Sequence, residues 1–80
     1  MYQITGSEIE KWSKQLEEAI VKIDVFDTKA EEILSNLKAY LKDSKHFKEK
    51  GDLVRSFEAV VFASAIFDTC MQLEVFVKKE

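Results

Sequence analysis

A single glycine divides the most informative part of this chain. Gly51 separates a lysine-rich amphipathic stretch from the nearly uncharged run at residues 59–67. Lys50 and Gly51 have the pattern of a helix end, in which a cation in the last turn is followed by a residue free to adopt a left-handed conformation. Asp52 follows directly as an N-cap residue, so a new helix is expected to start at once. Two helices joined by so short a connection must fold back as an antiparallel hairpin.

The spacing of apolar residues predicts another helix before this hairpin. From Ile9 to Ile23 they recur at intervals of three and four, which places them on one helical face. Ser7 and Glu10 have the spacing of a capping box, so we expect the helix to begin at Ser7. Trp12 lies on the same apolar face, and we interpret it as an anchor in the core.

The boundary between the first two helices is weakly marked, because the apolar spacing continues without Gly or Pro and one long helix is an alternative. Asp24 and Asp27 are poor helix formers, however, and Thr28 with Glu31 supplies a second capping box. A turn near residues 25–28 also lets two antiparallel helices cover each other's apolar faces. We therefore predict an all-α fold, an up-down three-helix bundle with helices over residues 7–24, 28–50 and 52–77.

The last predicted helix carries two apolar stripes on roughly opposite sides. One, from Leu53 to Met71, is suited to face the other helices, and the second would be partly exposed in an isolated bundle. Residues 75–77 have high strand propensity, but we reject a β-structure because residues 52–80 contain no Gly or Pro to make a turn. The second stripe is our candidate protein interface, and its residues are Ala59, Phe62, Ala63, Ile66, Cys70 and Leu73.

One aspartate stands out among the polar residues. The helical spacing places Asp68 on the inner stripe, where a carboxylate needs partners. We favour a structural hydrogen bond over a ligand-binding acid, because most buried polar groups are satisfied structurally. Asp43 lies near Tyr40 on the preceding helix and could approach Asp68 across the hairpin. The candidate polar site is therefore Tyr40, Asp43, His46 and Asp68, with His46 expected on the solvent side.

The chain lacks the motifs of common catalytic sites. It has one histidine and one cysteine, no Gly-x-Ser-x-Gly sequence and no glycine-rich phosphate loop. The Glu-x-x-His pattern of metal sites in helical bundles is also missing. We therefore expect no cofactor and no metal, and we treat catalysis as the less favoured hypothesis.

Length and composition restrict the classes of function and the location that the chain can have. Eighty residues suffice for one small domain, which we assign to residues 1–80 with a flexible segment at residues 1–6. A net charge of −3 argues against nucleic acid as a partner. The apolar run at residues 59–67 is too short to span a membrane. A lone cysteine without a signal-peptide pattern fits the cytoplasm.

Seven residues between positions 40 and 68 form a distinctive pattern, and they are Tyr40, Asp43, Phe47, Gly51, Asp52, Phe57 and Asp68. In these residues and their spacing the chain resembles an archaeal family called Domain of Unknown Function 357. The resemblance implies a small helical bundle and brings no known activity. The middle of the third helix, with Phe62, Ser64 and Ile66, is bulkier here than the family pattern.

These observations favour a non-enzymatic helical interaction module. We expect it to self-associate or to dock a protein partner through the outer face of the third helix, because exposed apolar surface marks interfaces. The alternative is a small ligand-binding or metal-binding protein that uses Asp43 and Asp68.

Overall fold

The computed structural model describes residues 4–79 and contains three helices in that range. They are α1 (Gly6–Ile20), α2 (Thr28–Glu49) and α3 (Leu53–Gln72), and they pack as the predicted three-helix bundle. The all-α prediction is therefore confirmed, although both outer boundaries of the bundle differ from the sequence estimate.

The first helix begins and ends earlier than predicted. Its N-cap is Thr5, whose hydroxyl oxygen accepts a 3.1 Å hydrogen bond from the backbone amide of Glu8. Ser7 is thus inside the helix, and the predicted start was wrong. α1 ends at Ile20 rather than at residue 24. Of the segment predicted to be flexible, residues 1–3 lie outside the described residues, while Thr5 and Gly6 form the cap and first turn of α1.

The junction between α1 and α2 contains the predicted break, with a different cap. The Asp27 side chain accepts a 2.7 Å hydrogen bond from the Ala30 amide, so Asp27 caps α2 and Thr28 is its first residue. A two-residue strand, β1 (Ile23–Asp24), occupies the connection. The break therefore begins earlier than the turn predicted near residues 25–28: a turn at residues 21–22 ends α1, and the short strand follows it.

The junction between α2 and α3 forms as the sequence predicts. Gly51 adopts a left-handed conformation with φ of 81°. The Asp52 amide donates to the Phe47 carbonyl at 2.9 Å, and the Gly51 amide donates to the Lys48 carbonyl at 3.0 Å. This is the Schellman arrangement, which satisfies the last carbonyls of a helix. The Asp52 carboxylate then caps α3 by accepting from the Arg55 amide.

The end of α3 contradicts the predicted helix over residues 52–77. Glu74 takes a left-handed conformation with φ of 60°, and the Val75 amide donates to the Cys70 carbonyl at 2.8 Å. The reversal carries Phe76 into the core, where its ring lies 5.9 Å from that of Phe67. Residues Val77–Lys78 then form β2, which pairs antiparallel with β1. A β-structure, which the sequence analysis rejected, is therefore present at Val77–Lys78.

A serine pair locks the hairpin between α2 and α3. The Ser44 hydroxyl donates to the Ser56 carbonyl and the Ser56 hydroxyl donates to the Ser44 carbonyl, each at 2.7 Å. Both serines are fully buried, so the two exchanged bonds satisfy groups that water cannot reach. Leu37 and Val60, on facing helices, are fully buried in the same core.

Candidate functional site

The predicted interface on α3 divides into a buried part and an exposed part. Ala59, Ala63 and Cys70 are buried, so the expectation that their stripe faces outward was wrong. This stripe packs toward α2, where the half-buried Ile66 lines a shallow cleft with Tyr40. Phe62 and Leu73 are the two of the six predicted residues that are exposed.

The other stripe of α3 packs against α1. The rings of Trp12 and Phe57 lie 5.2 Å apart, and Val60 from the same stripe is fully buried. Trp12 remains 43% exposed, so it covers the edge of the core and is not the anchor that the spacing suggested. Because two neighbouring helices cover both stripes, the free surface of α3 is the arc between them.

The exposed arc of α3 carries an apolar patch at its middle. Val61, Phe62 and Ala65 are neighbours on the helical surface, and all three are exposed. Phe62 is 60% exposed although its ring stacks on the exposed ring of Tyr40, with centroids 6.0 Å apart and planes at 21°. We call Tyr40, Val61, Phe62 and Ala65 the α3 patch.

Carboxylates surround the α3 patch. Glu58 and Asp68 lie about one helical turn to either side of it on α3, and Asp43 lines the cleft beside Tyr40. All three are exposed, and none forms an ion pair with another residue of the described range 4–79. Arg55, the one cation of α3, pairs with Asp52 at 3.5 Å. The rim of the patch is therefore acidic.

The polar site predicted from sequence does not converge. Asp68 is exposed beside Trp12 in a cleft between α1 and α3, so its predicted place on the inner face was wrong. Asp43 lies in a different cleft, between α2 and α3. With Ser44 opposite Ser56, the two aspartates are separated by about 16 Å along the bundle axis.

The two remaining candidates, His46 and Cys70, lie on the surface and in the core respectively. His46 is exposed, as predicted, with its ring 6.2 Å from that of Phe47. Within residues 4–79, no group of three or more His, Cys, Asp or Glu side chains is placed to hold a metal ion. Burial raises the pKa of the Cys70 thiol, because desolvation disfavours the thiolate, so Cys70 behaves as a small core residue.

Sequence reasoning missed a cleft between α1 and α2. It has a volume of about 730 Å³, and Ser13 and Ser44 lie in it together with lysines and glutamates from both helices. Glu10 and Glu17 of α1 form ion pairs with lysines of α2. The sequence does contain a signal for this cleft. Ser13 and Ser44 each lie on an otherwise apolar helical face, and their small side chains leave space that a larger side chain would fill.

These features define a class: a small helical bundle, closed at one end by a two-residue antiparallel ribbon, with an exposed apolar patch on its third helix. Among the described residues, no helix is long and apolar enough to cross a membrane.

The comparisons agree with this class. The family model described as "Protein of unknown function (DUF357)" matches residues 11–76. The chain therefore belongs to that family. It is similar to the crystal structure of protein AF1782 from Archaeoglobus fulgidus, of the same family, with 36% identity, 91% of each chain covered and a TM-score of 0.81. No curated protein matches the sequence.

Proposed function

We propose that this protein is a non-enzymatic interaction module that docks a protein partner on the α3 patch. The observation that carries the proposal is the exposure of Phe62, a large aromatic side chain at the centre of an uncharged helical surface. Exposed apolar clusters rimmed by polar residues are typical of interaction sites, and aromatic anchors supply much of the binding energy at interfaces.

The acidic rim favours a particular kind of partner. An apolar helix flanked by Lys or Arg would bury Phe62 and place its cations near Glu58, Asp68 and Asp43. A second copy of this chain is less favourable, because a two-fold interface brings the same patch and the same acidic rim together from both subunits.

We also assign the protein to the cytoplasm, since its single cysteine is buried and has no disulfide partner.

Comparative capture from extract of the native cells tests the proposal. The wild-type chain is immobilised beside Phe62→Glu and beside Phe26→Glu. Phe26 is the matched control, because it is 76% exposed and lies in the connection between β1 and α2, away from the α3 patch. We expect a protein that is captured by the wild type and Phe26→Glu, is lost with Phe62→Glu, and is released by raised salt because the rim contributes charge.

Two results would contradict this function. If the wild type captures nothing that Phe62→Glu does not also capture, the α3 patch is not a docking surface. If sedimentation velocity instead shows a wild-type dimer that Phe62→Glu dissociates into folded monomers, the occupant of the patch is a second copy. Circular dichroism of each variant establishes that it is folded.

A further inference from the structure

The cleft between α1 and α2 is framed by two ion pairs. Lys48 contacts Glu10 at 3.0 Å and Lys45 contacts Glu17 at 2.6 Å. The two glutamates are seven residues apart on α1, about 10 Å along the axis, whereas the two lysines are three residues apart on α2, about 4.5 Å. The unequal spacing leaves an opening on the α1 side between the pairs, and Lys14 occupies that part of the helix.

The base of the cleft is polar at two serines. The Ser44 hydroxyl already forms hydrogen bonds with Ser56. Ser13 lines the cleft and is largely buried as a residue, and its hydroxyl forms no hydrogen bond with residues 4–79. No buried side-chain oxygen or nitrogen in that range lacks a partner, so this hydroxyl opens into the cleft, where it can donate to a ligand.

The lysines give the cleft its charge preference. Lys45 and Lys48 each use one of three ammonium donors on a glutamate, and Lys14 forms no ion pair with any described residue. The whole lining of the cleft contains four lysines and three glutamates, which leaves a net charge of +1. Gly6 leaves room for the Lys48 side chain, since a Cβ there would lie only 3.3 Å from the Lys48 Cε.

We propose that this cleft binds a small phosphate-bearing molecule, with the phosphate held by Lys14, Lys45, Lys48 and the Ser13 hydroxyl. Ammonium and hydroxyl donors suit the several acceptor oxygens of a phosphate. The volume of about 730 Å³ exceeds that of a bare phosphate ion and falls within the range of small-molecule sites, so the cleft has room for an organic body beside the phosphate. This inference concerns a different face from the α3 patch and is independent of the proposed function.

NMR titration of the ¹⁵N-labelled chain tests the proposal, with inorganic phosphate and ribose 5-phosphate as the probes. We expect both probes to shift the amides of residues 13–14 and 44–48 to saturation, ribose 5-phosphate at the lower concentration. Lys14→Gln should weaken binding about three- to tenfold, because it removes one charged donor.

Matched controls decide the result. Lys29→Gln removes an exposed lysine from the first turn of α2, outside the cleft, and should leave both affinities unchanged. Sodium chloride at matched ionic strength should not reproduce the shifts. The proposal is overturned if neither probe saturates these amides, if chloride gives the same shifts, or if Lys14→Gln binds as tightly as the wild type.

Discussion

The outer faces of α2 and α3 are built differently, although the two helices form one hairpin and have similar lengths of 22 and 20 residues. The exposed residues of α3 include three charged ones, Arg55, Glu58 and Asp68, and none of them lies between residues 59 and 67. The exposed charged residues of α2 are Lys29, Glu31, Glu32, Lys38, Lys42, Asp43, Lys45 and Glu49.

This difference distinguishes the residues that the bundle needs for folding from those that it does not need. Both helices bury apolar residues on their inner faces, which the bundle needs. A charged outer face, as on α2, is the ordinary solution for a surface in water. The uncharged residues on the outer face of α3 contribute little to the stability of the fold, because Phe62 and its neighbours stay exposed. The proposed docking of a partner on this face accounts for its composition.

The largest expected effect compares a buried leucine with the exposed phenylalanine. Leu37→Ala should lower the free energy of unfolding by about 2–5 kcal/mol, because it leaves a cavity in a fully buried position. Phe62→Ala should lower it by less than about 1 kcal/mol, since it loses mainly the stacking on Tyr40. Urea unfolding of both variants provides the measurement. Comparable losses would make Phe62 a structural residue and remove the basis of the docking proposal.

A second variant tests how firmly the inner faces hold the two helices together. Ser56→Ala removes one hydroxyl donor and leaves the Ser44 carbonyl without that bond in a buried place. We expect a loss of about 1–3 kcal/mol in the free energy of unfolding, measured by urea denaturation. Adding Ser44→Ala should cost less than its effect alone, because the two hydroxyls act as a pair. Strictly additive losses would show that the exchanged bonds are not coupled.

The ends of α2 and α3 explain how much of the fold the sequence could reveal. Both ends are Schellman arrangements, but the left-handed residue is Gly51 in one and Glu74 in the other. Gly51 marks the helix end in the sequence, because glycine readily adopts the left-handed conformation, so the hairpin was predictable. Glu74 is not a residue type that predicts a left-handed conformation. The chain reverses there because Phe76 becomes buried and β2 pairs with β1, and these contacts involve residues far away in the sequence.

The site was less predictable for a similar reason. Helical spacing correctly gave α3 two apolar stripes, but it could not say which neighbour covers each one. Ala63 and Cys70 therefore turned out buried and Asp68 exposed. The ion pair between Glu10 and Lys48 depends on how α1 docks on α2, whereas the sequence alone offers Glu10 only local partners. Phe62 and Leu73 are the two residues of the predicted interface that lie on the surface in the structure as well.

A smaller effect distinguishes the two helix ends. Gly51→Ala should cost about 1 kcal/mol in unfolding free energy, because alanine resists the left-handed conformation and no neighbouring atom interferes with its Cβ. Glu74→Gly should have the opposite sign, with a gain of up to about 1 kcal/mol. Thermal unfolding of the two variants gives the comparison. A stabilising Gly51→Ala would mean that the hairpin turn is not set by this conformation.

The smallest effect concerns the inner face of α3 at alkaline pH. Burial raises the pKa of Cys70 above its ordinary value of 9.0, so folding favours the protonated thiol. That contribution is complete below pH 9 and is lost as the pH rises through the folded-state pKa. The stability difference between the wild type and Cys70→Ala should therefore shrink above pH 9, as followed by urea unfolding at several pH values. A constant difference would indicate a thiol open to solvent.

Site-specific photo-crosslinking tests the central claim most directly. Phe62 is replaced by benzoyl-phenylalanine, which preserves an aromatic ring, and the same replacement at Phe26 serves as the control. After irradiation in the native cells, we expect a discrete crosslinked product from position 62, identified by mass spectrometry as a different protein, and no such product from position 26. Absence of a product at position 62, or identical products at both positions, would contradict a docking role for the α3 patch.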